Sequence, residues 1–570
     1  MRSRFTAGAV VVLVLGFAAW RSEASAPLGA APEARSKKGM VSAATAESVE
    51  AGARVLAAGG GAVDAAIAVA FALAVTYPQA GNLAGGGFAV VRTPEGGFFA
   101  LDFRETAPAA TWRNTYFDAG GVPRPQASRY GGLAVATPGT VRGLETLHRK
   151  FGRLPWSRLV EPAIVLARDG YRVPPGLARA LADEHVRHVL SRDSEGARLF
   201  YPKGRPVAAG ALLVQPDLAA TLEAIASRGA DAFHRGDIAR RIAEFVRATG
   251  GVLTEADLAG YAPSWRIPFV FDDGRYRLVT MPSPSSGGFL LASILGQLRF
   301  VRGDVSFRDA AETIHLIAEA ERRAYADRNR FLGDADCVDE PLARLLAPAR
   351  LAALGFSIDP ARATPSREIT GGEWPGERDQ TTHLSTATAD GGAVALTYTL
   401  NDAFGNGTIV PGVGVLLNNE MDDFSAVPGT ANMFGLVQGE ANVVRAGGRP
   451  LSSMTPTIVL EDGRPRFVLG SPGGATIPTT VLQVFLNAGP RGQSLTEAVA
   501  APRFHHQHLP DRIRLERGAF SEDVREALRA KGHALDTDGM LGLVHAIAFE
   551  RDGTLTGVAD PRGYGLAAGP

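Results

Sequence analysis

Cysteine is almost missing from this chain: one residue, Cys337, in 570. A single thiol forms no intramolecular disulfide and no cysteine-rich zinc site. It stands in Asp334-Ala335-Asp336-Cys337-Val338-Asp339-Glu340. Acidic neighbours raise a thiol's pKa, so Cys337 reads as an incidental thiol and not a nucleophile. Net charge is missing too, since 59 Lys and Arg residues balance 59 Asp and Glu. With no block of like charges, nucleic acid and an anionic membrane are excluded as expected partners. Gly is abundant at 67 residues, but no short repeat accompanies it, which excludes collagen-like and disordered chains. Past the N-terminus, long apolar runs are scarce. Ala62 to Thr76 is apolar on nearly every face, but it is too short to span a bilayer and carries Asp64. A helix buried between layers fits it best.

What is present supports a large core and more than one structural unit: 570 residues, 45% of them hydrophobic. The first 26 residues have the form of a signal peptide. Arg2 and Arg4 precede an apolar run from Ala7 to Trp20, and Ala24-Ser25-Ala26 offers a small-x-small cleavage site. Export, to a bacterial periplasm or beyond, is the expectation. Residues 27–40 read as a flexible linker.

The chain turns on Asp379-Gln380-Thr381-Thr382-His383-Leu384-Ser385. A polar stretch, Gly371 to Gln380, leads into it. Strand-like alternation from Thr382 to Ala387, a turn at Asp390-Gly391-Gly392 and a return from Ala393 to Leu400 predict a hairpin. A cut between Gln380 and Thr381 would give Thr381 a hydroxyl and a free α-amine on one residue, a nucleophile with its own base. An α-amine has a pKa of about 8, so a useful fraction is free base near neutrality. By itself, a Thr-Thr pair opening a strand is more often plain strand.

Other segments add possible partners. Helices are expected over Ala44–Ala58 and, between Pro138 and Leu354, over most of the chain. Strands are expected over Phe88–Arg92, Phe98–Phe103, Thr455–Leu460 and Arg466–Leu469. Gly59-Gly60-Gly61 lacks the Lys-Ser/Thr of a phosphate loop. Arg104 at a strand end is an anion ligand or a surface ion pair. Ser425 to Glu440 is long, with Met433 and Phe434 reading as exposed, which suits a lid. Gly470-Ser471-Pro472-Gly473-Gly474 joins a strand to the helix Ile477–Leu486. Bare N–H groups at a helix start can hold an oxyanion. His505-His506-Gln507-His508 has no paired ligand cluster elsewhere, so no metal and no cofactor is expected.

Six blocks in order resemble the γ-glutamyltranspeptidases (glutathione hydrolases) of the N-terminal-nucleophile hydrolase superfamily. They are Asn82-Leu83-Ala84-Gly85-Gly86-Gly87-Phe88, Leu101-Asp102-Phe103-Arg104-Glu105, Thr381-Thr382-His383, Leu417 to Phe424, Pro450-Leu451-Ser452-Ser453-Met454, and Gly470 to Gly474. The resemblance spans about Met40 to Arg562. It implies an α+β, αββα four-layer sandwich built jointly from one proenzyme. A large subunit (41–380) and a small subunit (381–570, 570 minus 380 being 190 residues) would stay associated.

By resemblance, Thr381 attacks the γ-amide of glutathione or another γ-glutamyl compound. The γ-glutamyl ester then passes to water or to an acceptor amino acid or peptide. Thr399 would orient Thr381, and the Gly473 and Gly474 amides would form the oxyanion hole. Arg104, Ser452 and Ser453 would hold the donor's α-carboxylate, and Asn401, Glu420 and Asp423 its α-amine. Two departures stand out: Ala84 replaces the family's usual Gly, and Phe434 replaces a lid Tyr found in several members. A glutaryl-cephalosporin acylase on the same scaffold and an uncut exported binding protein are the competing readings.

Overall fold

The computed structural model describes residues 30–306, 308–369 and 381–570. The signal segment and Gln380 at the expected cut lie outside them. Fourteen of the strands form two antiparallel sheets of seven. In chain order these are β1 (Glu33–Ser36), β2 (Gly39–Ala43), β3 (Gly86–Arg92), β4 (Phe98–Phe103), β5 (Ser264–Arg266), β6 (Phe269–Asp273) and β7 (Tyr276–Thr280). The rest are β8 (Thr382–Thr388), β9 (Ala393–Thr399), β10 (Thr457–Glu461), β11 (Arg464–Leu469), β12 (His545–Phe549), β13 (Leu555–Ala559) and β14 (Leu566–Ala568). One sheet runs β1-β13-β12-β11-β10-β7-β6 and the other β14-β2-β8-β9-β3-β4-β5.

Strand alternation sorts side chains between layers. In β9, Ala393 and Ala395 join Ile458, Val468 and Ile547 between the sheets. The intervening Val394, Leu396 and Tyr398 join a core with α1 (Ala46–Ala57) and α2 (Ala62–Thr76). On the far side of the other sheet, Val459, Phe467 and Leu469 pack with α3 (Gly287–Leu298), α4 (Ala310–Phe331) and α5 (Ile477–Ala488). Helix, sheet, sheet and helix therefore stack in four layers. All of α2 is buried, which explains its apolar circumference. Its one acid, Asp64, caps its own helix by accepting from Gly61 N (2.8 Å) and also accepts from Arg153 N (3.0 Å). Each large apolar side chain buried in such a layer contributes about 1.5–3 kcal/mol.

Two expectations need correction. The supposed linker 27–40 contains β1 and the start of β2. β1 pairs Glu33 with Val558 at a sheet edge, and β2 is fully buried beside β8. β1 shows no apolar signal because an edge strand is held by its backbone ladder, with its side chains exposed or half-buried in alternation. The stretch between Pro138 and Leu354 is mostly helical, yet it also supplies β5, β6 and β7. The Asp272-Asp273-Gly274 turn and the exposed alternate positions of β6 mask that hairpin.

Candidate active site

Thr381 immediately precedes β8 and is 4% exposed. Pairing of Thr382 with Tyr398 brings the end of β9 alongside. Thr381 Oγ1 therefore lies 3.5 Å from Thr399 Oγ1, at the outer limit of a hydrogen bond. Thr399 is itself fixed twice. Its hydroxyl accepts from Asn401 N (2.9 Å), and its carbonyl accepts from Asn82 Nδ2 (2.8 Å). Asn82 also accepts from Gly85 N and Thr140 Oγ1, so the Asn82–Phe88 block acts by holding the threonine pair. Asn401 has a φ of 78°, a left-handed conformation that Asn tolerates, and donates to Asn419 O (3.0 Å). His383 is bonded to Thr397 and Ser385 and kept neutral, first by burial and then by nearby His545, so it packs the strand.

A narrow cavity opens in front of Thr381. Of the expected site residues that the structure describes, all but Gly473 line it. Gly473 (φ 133°) immediately precedes the turn Gly474–Thr476 that starts α5, and Gly474 (φ 50°) faces the cavity. A side chain at Gly473 would sit 2.4 Å from Thr476 Oγ1, so the turn requires glycine there.

Charge is concentrated on the opposite wall. The buried Arg104 guanidinium binds Glu420 Oε1 and, at 2.5 Å, Asp423 Oδ2. Glu105 lies 3.7 Å from the same guanidinium. Burial opposes the Arg104 charge, but Glu420, Asp423 and Glu105 together hold its pKa above the usual value. Burial likewise raises Glu420, Asp423 and Glu105, the last to about 7, against the pull of Arg104. The cation and the acids, expected at opposite ends of the donor, pair with each other directly in this wall. The Asn418 side chain positions this wall by bonding Ala84 O, Ala136 and Glu420 N.

Ser452 and Ser453 are presented by Met281–Gly288, the segment that leads from β7 into α3. Ser452 N donates to Pro284 O (2.7 Å), and Ser452 O accepts from Ser286 N and Oγ (both 2.8 Å). The 425–440 segment is tied down, and Met433 and Phe434, expected to be exposed, are buried. Phe434 is 4% exposed and its carbonyl accepts from Gln507 Nε2 (3.0 Å), while Gln438 Nε2 donates to Asp423 O (3.1 Å). Arg328 also lines the cavity and went unnoticed in the sequence, because it lies mid-pattern in a helix.

Among the described residues, His315, Glu319 and His533 form the one group spaced for a metal. Most of their donor atoms are already engaged, His533 Nδ1 being the exception. The imidazoles meet at 2.7 Å, His315 also reaches Asp359 O, and Glu319 is held by Arg322 and Arg323. The group does not line the cavity.

Two stacked antiparallel sheets between helix layers, with Thr381 at the head of a central strand facing the cavity, define the N-terminal-nucleophile hydrolase class. The match to the Gamma-glutamyltranspeptidase family covers residues 48–569, and the chain belongs to that family. It is 45% identical over 530 residues to an Escherichia coli glutathione hydrolase proenzyme, covering 93% of this chain and 91% of that one. A cephalosporin acylase from Bacillus halodurans superimposes with a TM-score of 0.80 at 27% identity, covering 94% of this chain and 97% of that one. A Helicobacter pylori gamma-glutamyltranspeptidase chain gives a TM-score of 0.55 at 40% identity, covering 57% of this chain and 94% of that one.

Proposed function

We propose that the chain is a self-processing γ-glutamyltransferase and glutathione hydrolase. The observation that carries this reading is the convergence of the Thr381 hydroxyl and the Arg104–Glu420–Asp423 cluster on one cavity. Cutting between Gln380 and Thr381 frees the α-amine. That amine takes the Thr381 hydroxyl proton as Oγ1 attacks the γ-amide carbonyl of the donor. The developing oxyanion is met by the N–H groups of Gly473 and Gly474 at the start of the α5 turn. The α-ammonium passes that proton to the departing amine as the amide C–N bond breaks, and a γ-glutamyl ester remains on Thr381. Water or an acceptor amine then attacks the ester and gives a proton to the α-amine, which hands it to Oγ1 as the ester C–O bond breaks and Thr381 is freed.

The donor's glutamyl end is a zwitterion. Its ammonium suits Asn401, Glu420 and Asp423, and its carboxylate suits Arg104, Ser452 and Ser453, through charge-assisted hydrogen bonds. Thr399 acts on the nucleophile by positioning it. The small subunit would begin at Thr381 and stay bound to the large one. The N-terminal charged-then-apolar segment supports export, to the periplasm in a bacterium. Among the described residues no helix is long and apolar enough to cross a membrane.

Purified protein should run as two bands, the smaller beginning Thr-Thr-His-Leu-Ser by terminal sequencing. Thr381→Ala should abolish both the cut and turnover of a γ-glutamyl anilide. A single uncut band that persists on incubation would favour a binding protein and end this reading. The similarity to a cephalosporin acylase keeps one second reading in play. A glutaryl anilide clearly outrunning the γ-glutamyl anilide would favour it.

A further inference from the structure

The turn between β11 and α5, which carries the expected oxyanion donors, is held from behind by two buried hydroxyls. Gly473 O accepts twice from Thr476, once from its N–H and once from its hydroxyl (both 2.8 Å). Across a trans peptide the N–H points opposite to the carbonyl. With Gly473 O drawn back onto Thr476, the N–H of the same peptide, that of Gly474, faces the other way, and Gly474 lines the cavity. One residue on, Ala475 O accepts from the Tyr325 hydroxyl (2.5 Å). Tyr325 belongs to α4, on the other side of the expected cut. Its ring stands edge-on to that of His505, with centroids 5.7 Å apart at 88°, and His505 bonds Thr479 in the first turn of α5 (2.9 Å). Thr476 and Tyr325 are wholly buried and do not line the cavity, so both hydroxyls act on the turn and not on a ligand.

We propose that Thr476 and Tyr325 are positioning residues for the oxyanion hole. Their hydroxyls fix successive carbonyls of the turn from behind, which aims the Gly474 N–H at the carbonyl oxygen of the donor amide. This rests on the γ-glutamyl reading above. A donor that is already aimed does not reorganise as charge develops, so the two hydroxyls lower the barrier without tightening the binding of the uncharged amide.

The test uses mature, self-cut enzyme, a γ-glutamyl anilide as donor and free glutamate as a competing ligand. Thr476→Val removes the hydroxyl and keeps the shape. It should lower kcat about ten- to hundredfold, less than the loss of a whole oxyanion donor, with KM and the inhibition constant of glutamate within about threefold. Thr476→Ser keeps the hydroxyl and should recover most of the lost kcat. Equal losses in the valine and serine variants, or a loss carried by KM, would show that the side chain only fills space and would overturn the proposal. An unchanged kcat in Thr476→Val would overturn it equally. Tyr325→Phe reads the same brace from α4, and it decides the matter if Thr476→Val does not cut itself. Its kcat should fall about three- to tenfold with KM held, and an unchanged kcat overturns the proposal. Wild-type enzyme that cuts itself yet turns over no γ-glutamyl anilide would sink the γ-glutamyl reading instead.

Discussion

Glu105 stands beside Glu420 and Arg104 with no solvent to dilute its charge. Burial pushes its pKa up to about 7, and Asp423 adds to the rise. Above that pH the cluster carries one more negative charge and holds an ammonium better. As pH falls through about 7, a proton enters and the attraction weakens. The KM for a γ-glutamyl donor should therefore rise on acidification, while that for a glutaryl donor should not. Titration of the Thr381 amine affects both donors alike and cancels in their ratio. Glu105→Gln should flatten the pH dependence of that ratio, which steady-state kinetics between pH 5.5 and 8.5, about 1.5 units either side of the midpoint, would reveal.

The turn between β11 and α5 is where an element does chemical work. Gly473 and Gly474 both have positive φ, which aims the backbone ahead of the helix rather than along it. Gly473→Ala places a methyl 2.4 Å from Thr476 Oγ1 in a conformation that alanine resists. If the turn presents the oxyanion donors, kcat should fall about 10²–10³-fold with KM little changed. Circular dichroism and the melting temperature would show whether the fold survives. The 425–440 segment illustrates the opposite relation between element and function. Its apolar Met433 and Phe434 read as exposed, yet Asp422, Asp423 and Gln507 hold its backbone and side chains against the core.

At the scale of the molecule, residues on either side of Thr381 are interleaved. In one sheet β8 and β9 lie between β2 and β3, and in the other β10 to β13 lie between β1 and β7. A cut before Thr381 removes one peptide bond and none of these ladders. The two chains should therefore co-elute in size exclusion and unfold in a single calorimetric transition. Separate transitions, or loss of the small chain on dilution, would contradict that interleaving.

Much of this was legible in order along the chain. The limits of α2, β4 and the β8–β9 hairpin follow from apolar periodicity, and the site residues follow from six short blocks. Arg104, Thr381 and Ser452 are far apart in sequence, and only motif resemblance joined them. Periodicity could not reveal β1, whose side chains bury little, or the role of the Met281–Gly288 loop, whose contribution is backbone. Nor could it single out Arg328, which looks like any helical arginine until it is seen to line the cavity. The sequence by itself determined the course of α2, β4 and the β8–β9 hairpin and the identity of the nucleophile candidate, because these depend on local spacing and residue chemistry. Only the tertiary structure decided that Arg104 is already paired with its acids, because charge pairing is a property of distance in space and of shared burial.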